Sequence, residues 1–237
     1  MFEWEMQLVK QWFPLTDYDF YAYLISGMLL IGAVDYTLAG GTLVYRANWT
    51  VAEGLFWVAI AYLVGNISAS PSAAFLEHFV ARKWMDSPAD IQLGLKQRSK
   101  FERLFAALFA PREYAPLTAS VQARALDRAS KEMGEPRDKL TGEVVFQAAF
   151  HPVRQTPDTA ARLSAFLNQY GFSRNVAFAS FLGFILLLIQ EVGQPSRSNL
   201  LLTIAAIVLS LGMFGRFIKF YSAYSADVIR SYATLSN

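Results

Sequence analysis

Three groups of residues in this chain have types and spacings that could do chemistry. The first is Asp35, an ionisable side chain inside the apolar run 20–38. A carboxylate within a membrane span costs several kcal/mol near the bilayer centre and less toward the interface. Asp35 therefore reads in one of two ways. It is an ion or proton ligand on a pathway, or it is an interfacial carboxylate bonded to Tyr36, Thr37 or a loop amide, or paired with Arg46.

The second group lies in "NISASPSAAFLEHF" (66–79), where an apolar run gives way to Asn66, Ser68, Ser70, Pro71 and Ser72. Ala61, Gly65, Ala69 and Ala73 recur every four residues, a small-residue track that lets a second helix approach closely. The hydroxyls and the Asn66 amide flank that track and can bond across a helix contact. Pro71 removes one helical hydrogen bond, which a neighbouring hydroxyl can make good. Such a segment is a helix seam with a kink, or, if copies of the chain assemble around it, the polar lining of a pore. The pore or seam candidates are Asp35, Gly65, Asn66, Ser68, Ser70 and Ser72.

The third group is Glu77, His78 and Arg82 at the other end of the same run, with Arg216 and Lys219 after the last apolar run. These are candidates for a cytoplasmic mouth. Glu77 is expected to pair with Arg82 or with another helix. His151 is the only other histidine, and no H-x3-H ligand spacing occurs, so no metal site is expected. The absence of cysteine excludes thiolate metal sites, disulfides and a thiol nucleophile. Neither G-x-S-x-G, a Gly-rich phosphate loop, H-E-x-x-H nor a paired-aspartate signature is present. Asp17 and Asp19 are expected to favour the N-terminus of the first span. No catalytic residue and no cofactor are assigned, and the expectation is a non-enzymatic protein.

The elements that must position these groups are helices. Crossing a bilayer takes roughly 20 apolar residues. Four runs approach that length: 20–38, 54–76, 175–190 and 198–215. Hydrophobic residues make up 54% of the 237 and mean hydropathy is +0.28, a compromise between lipid-embedded and water-exposed chain. The start lacks the basic n-region of a signal peptide, so insertion is expected to use the internal spans. Residues 1–15 read as an interfacial amphipathic helix ended by Pro14.

Between the second and third runs the chain reads as helical throughout. Phe101, Leu104, Phe105 and Leu108 form one apolar stripe. Pro116 and Gly134 are expected to bound one helix. Val145, Phe146, Ala149 and Phe150 share a face of another. A further helix has Thr156 as N-cap, Pro157 at its first position and Gly171 as its stop. After the fourth run, 217–237 continues with helical character and alternating basic and aromatic residues.

Of the 21 Lys and Arg, all but Arg46 and Arg197 lie on one side of this layout, and 15 of them lie in 82–174. The positive-inside rule then places both termini and the middle segment in the cytoplasm of a bacterium, with four spans in the inner membrane. The fold expected is all-α: a hairpin of spans (18–80), a helical cytoplasmic domain (81–172), a second hairpin (173–216) and a helical tail (217–237). Acidic residues are interspersed among the basic ones, so direct nucleic-acid binding is not expected. The expected partners are the lipid bilayer, further copies of the chain and a soluble cytoplasmic protein.

The layout is similar in general plan to small bacterial membrane effectors and accessory subunits, including those of anti-phage defence, a likeness that covers no motif. Three functions are compatible. One is a self-associating effector that couples a cytoplasmic sensing domain to the membrane, with an ion-conducting path as one form. Another is a scaffold or accessory subunit that anchors a soluble partner and conducts nothing. The third is an enzyme acting on lipid.

Overall fold

The computed structural model describes residues 17–81, 85–109 and 112–235, so the interfacial helix expected at 1–15 and Arg82 lie outside the described residues. All regular elements among them are helical. In chain order they are α1 (Asp17–Leu38), α2 (Val51–Ala73), a π-helical segment (Ala74–Ala81), α3 (Pro88–Gln92), α4 (Lys100–Phe109), α5 (Ala119–Met133), a 3-10 turn (Arg137–Lys139), α6 (Gly142–Arg154), α7 (Pro157–Gly193) and α8 (Arg197–Thr234). Four of them, α1, α2, α7 and α8, are long and apolar enough to cross a membrane.

Two compact units make up the chain. The first comprises Met1–Ser72 and Asn175–Ser210; the second, Ala73–Arg174 and Leu211–Asn237. Their boundaries fall inside α2, α7 and α8.

The first unit is arranged opposite to a water-soluble core. Leu201, Val208, Ile189 and Val192 are each more than 60% exposed, while Ser26, Ser68, Thr203, Ser210 and Asn199 are buried. Burial of these hydroxyls is tolerable because each closes on a backbone carbonyl. Ser26 donates to Ala22 (2.8 Å), Ser68 to Gly65 (2.8 Å), Thr203 to Asn199 (2.7 Å) and Ser210, across to α7, to Ala177 (3.0 Å). α1 crosses α2 at backbone contact: a Cβ on Gly27 would sit 1.7 Å from the Ala61 carbonyl oxygen, and one on Gly65 would sit 1.8 Å from that of Tyr23. α1 also meets α7 where Gly183 faces Ala33, and α8 where the Tyr36 hydroxyl donates to Asn199 Oδ1 (2.7 Å).

The second unit has a conventional apolar core, with Leu93, Val145, Val153, Ile229 and Tyr232 among its buried members. Gln92 ties its helices together. Its amide nitrogen donates to the carbonyls of Glu113 (3.0 Å) and Ser222 (2.8 Å), and its amide oxygen accepts from Ser225 (2.8 Å). α6 packs on α3 at Gly142, where a Cβ would lie 2.4 Å from the Asp90 amide nitrogen, and Gly142 N–H donates to Asp90 Oδ1 (2.7 Å). Beside this core Glu102, 1% exposed, accepts from the amides of Asp86 and Ser99, both at 2.6 Å, with the Tyr114 hydroxyl 3.1 Å away.

Some expectations from sequence change. Gly171 does not stop its helix: α7 runs unbroken from Pro157 to Gly193. Glycine in a helix interior costs only about 1 kcal/mol, and Gly171 is buried, so packing outweighs that cost. The helix expected to open at Pro116 begins at Ala119 and ends, as expected, at Gly134, which adopts the left-handed conformation (φ 69°). The stripe on α4 is not wholly core, since Leu104 and Leu108 are 65% and 68% exposed. Past Pro71 the chain does more than kink: helical pairing widens into the π-segment Ala74–Ala81.

Candidate functional site

Asp35 sits near the C-terminal end of α1 and is 4% exposed. Gly40 and Gly41, with φ of 66° and 79°, turn the chain back over it. The Thr42 hydroxyl donates to Oδ1, and the amides of Leu43 and Val44 donate to Oδ2, all at 2.9 Å. Both carboxylate oxygens are thus committed to the loop that follows. Arg46 does not pair with Asp35. It pairs with Glu53 (2.5 Å) and lies over the Trp49 ring. Glu53 in turn accepts from the Thr50 amide (3.0 Å) while Thr50 Oγ1 accepts from the Glu53 amide (3.2 Å), a capping box that starts α2.

The small-residue track is used within the chain. The buried residues of α2 are Ala61, Gly65, Ser68 and Ser72, so the seam follows the helical period of 3.6 residues onto the serines. Ala69 and Ala73, expected to continue it, are half-buried. Asn66 and Ser70, four residues apart, are exposed on another face, and neither side chain finds a hydrogen-bond partner among the described residues.

Glu77 lies on the π-segment and pairs with Arg174 of α7. The Arg174 guanidinium stands over the Tyr170 ring, 5.6 Å from its centroid. The side chain of His78 lies outside the described residues. Arg216 and Lys219 do not join Glu77. Arg216 donates to Gln169 Oε1 (2.8 Å), and Lys219 lies 3.7 Å from Glu113.

Beside the Glu77 cluster is a cavity of about 560 Å³ whose lining belongs entirely to the second unit. Tyr170, Tyr221, Tyr224 and Phe146 supply aromatic wall. Tyr170 and Tyr221 stand 5.8 Å apart, and Phe146 and Tyr224 6.1 Å. Glu77, Asp86, Asp90 and Glu143 bring carboxylates, and among the described residues Lys96 is the only cation in the lining. Lys96 bonds to Asp86 (2.7 Å), which holds its ammonium above the ordinary lysine value. Burial by itself would raise Glu102 behind this wall, but the amides of Asp86 and Ser99 and the Tyr114 hydroxyl outweigh it and hold the carboxyl below its ordinary value. Burial, followed by the Glu102 charge, pushes the Tyr114 hydroxyl up.

Of the candidate site residues read from sequence only Glu77 lines the cavity, and Phe146 reads from sequence only as part of a helix face. A signal exists in "FYSAYS", where Tyr221 and Tyr224 three residues apart share a helix face. Among the described residues, no three histidine or carboxylate side chains gather as metal ligands. What the fold defines is an all-helical protein with four helices able by length and composition to span a membrane. No protein-family model, curated protein or solved structure matches the chain.

Proposed function

We propose that the chain is a non-enzymatic, multi-pass protein of a bacterial inner membrane whose copies associate along the Asn66–Ser70 face of α2. In this reading α1, α2 and the apolar parts of α7 and α8 are the spans. Both termini and the second unit are cytoplasmic, and that unit receives a soluble partner or signal. The assembled spans respond by opening a conducting path, as an effector of anti-phage defence would.

One observation carries the reading. Asn66 and Ser70 are exposed within the 27-residue apolar stretch Val51–Glu77, while the Gly65 face of the same helix is already occupied by α1. An amide turned toward hydrocarbon without a partner costs several kcal/mol. A second copy, or water held by several copies, removes that cost, and cross-helix bonds of this kind contribute about 0.6–2 kcal/mol each. The exposed leucine, isoleucine and valine surface of the first unit supports a lipid environment, and the Lys/Arg distribution supports the orientation.

The chain has no cysteine, so single-cysteine variants report contacts directly. Asn66→Cys and Ser70→Cys are expected to form disulfide-linked dimers in native membranes. Val208→Cys, 63% exposed on α8, serves as the comparison. Equal crosslinking at all three positions would refute association on this face. Reconstituted vesicles then separate effector from scaffold. Ion flux that Asn66→Leu with Ser70→Leu blocks, at unchanged oligomer size, belongs to a conducting path. Ion-tight vesicles whose protein still captures a soluble partner belong to an anchoring subunit.

A further inference from the structure

We infer that the cavity of the second unit is a binding site for a small organic cation, an ammonium or guanidinium carried on an apolar body. The inference is independent of whether the spans conduct.

The volume, about 560 Å³, falls in the range of small-molecule sites. Its charge has one sign in excess. Among the described residues four carboxylates line it against one ammonium, and the partners of those carboxylates are unequal. Glu77 is matched by Arg174, and Asp86 by Lys96. Asp90 gives one oxygen to the Gly142 amide and holds Lys96 only at 3.8 Å. Glu143 has no ion pair or hydrogen bond through its carboxylate among the described residues, although it stands on the cavity wall. It is the uncommitted anion.

The aromatic walls favour the same ligand. The face of an aromatic ring is electronegative and attracts a cation, more strongly where water is displaced. Tyr170, Tyr221, Tyr224 and Phe146 contribute four rings to the lining, of which Tyr170 already carries the Arg174 guanidinium and, with Tyr221, packs against Phe217. A phosphate or carboxylate ligand would meet the excess negative charge of the described lining unfavourably. A metal ion would need several oxygens converging on one point, and among the described residues no such group exists. A cation that hydrogen-bonds to one or two carboxylates and lays its carbon skeleton on rings uses both features. The site is built from α3, α6, α7, the later part of α8 and the π-segment, so its occupant contacts most of the helices of the unit.

The test uses the full-length chain purified in a neutral detergent, with phenethylammonium as probe, 2-phenylethanol as its neutral counterpart and Mg2+ as the inorganic cation. Isothermal titration is expected to show saturable binding of one phenethylammonium per chain. Affinity should fall as salt is raised, because part of the attraction is charge. Glu143→Gln removes the uncommitted carboxylate from an exposed position, so the fold is retained, and it should weaken binding about fivefold, as loss of one partly solvated ion pair does. Tyr224→Leu should weaken phenethylammonium more than 2-phenylethanol. No saturable binding of phenethylammonium would overturn the inference. Equal affinity for the neutral alcohol, a Glu143→Gln variant that binds as the parent does, or saturable binding of Mg2+ alone would each overturn it too.

Discussion

Gly27 and Gly65 offer the sharpest test of where the small-residue seam belongs. The alternatives differ by which partner a side chain at these positions would strike. In the structure the partner is the other helix of the same chain: a Cβ at Gly65 would lie 1.8 Å from the Tyr23 carbonyl oxygen and 2.9 Å from the Ser26 hydroxyl, and a Cβ at Gly27 would lie 1.7 Å from the Ala61 carbonyl oxygen. Ordinary contact begins near 3.4 Å, so either alanine must push α1 and α2 apart by about 1.6 Å. The obstacle is backbone and cannot rotate away. Overpacking of this kind costs about 1–3 kcal/mol and more where nothing yields, so Gly65→Ala is expected at or above the upper end, about 3 kcal/mol.

The two positions share one gap, since a Gly27 Cβ would also lie 2.9 Å from the Gly65 nitrogen. Once the helices have parted for the first methyl, the second meets less resistance. Gly27→Ala with Gly65→Ala should therefore cost clearly less than the sum of the single changes. Gly212→Ala is the internal control. It lies in α8 with nothing within 4 Å of its Cβ position, so it should stabilise by up to about 1 kcal/mol through helix propensity and lost unfolded-state freedom. Reversible unfolding in mixed micelles, followed by circular dichroism, reads all four. A Gly65→Ala protein as stable as the parent, or one whose only change is a smaller oligomer, would refute an intrachain seam.

Two further outcomes follow from the geometry. Glu102 has its folded value depressed by two amides and a hydroxyl, so its contribution is complete above the ordinary glutamate range of about 4.3 and is lost as pH falls through the lower folded value; unfolding from neutral to acid pH should show Glu102→Gln less stable near neutrality and with a flatter acid limb, and parallel curves would contradict the assignment. For orientation, thiol reagents on intact cells should label Arg46→Cys and Arg197→Cys directly but Lys100→Cys and Arg230→Cys only after permeabilisation, and external labelling at 100 would overturn the four-span arrangement.

Read position by position, the sequence is informative where a property is local. Each of the four apolar runs falls within a long helix because length and hydropathy are properties of a continuous segment. Gly134 ends α5 because few other residues take its left-handed conformation without cost. The capping box formed by Thr50 and Glu53 is equally local, and it explains why Arg46 turns to Glu53 and leaves Asp35 to its own loop.

Where a residue's role depends on what lies opposite, sequence is silent. Spacing marks Ala61, Gly65, Ala69 and Ala73 as one track, but the structure buries Ala61, Gly65, Ser68 and Ser72, with α1 crossing at Ala61 and Gly65, and leaves Asn66 and Ser70 exposed. Gly171 looks like a helix stop until packing around it repays the cost of one glycine. Glu77 finds Arg174 ninety-seven residues on, and its cavity draws Glu143, Tyr170, Tyr221 and Tyr224 from three different helices. The sequence by itself determined that the chain is helical, where its apolar runs lie and the asymmetry of charge, because each is written in neighbouring residues. Only the tertiary structure decided which face of α2 is sealed and which carboxylate of the cavity lining has no partner among the described residues, because both depend on side chains brought together from distant parts of the chain.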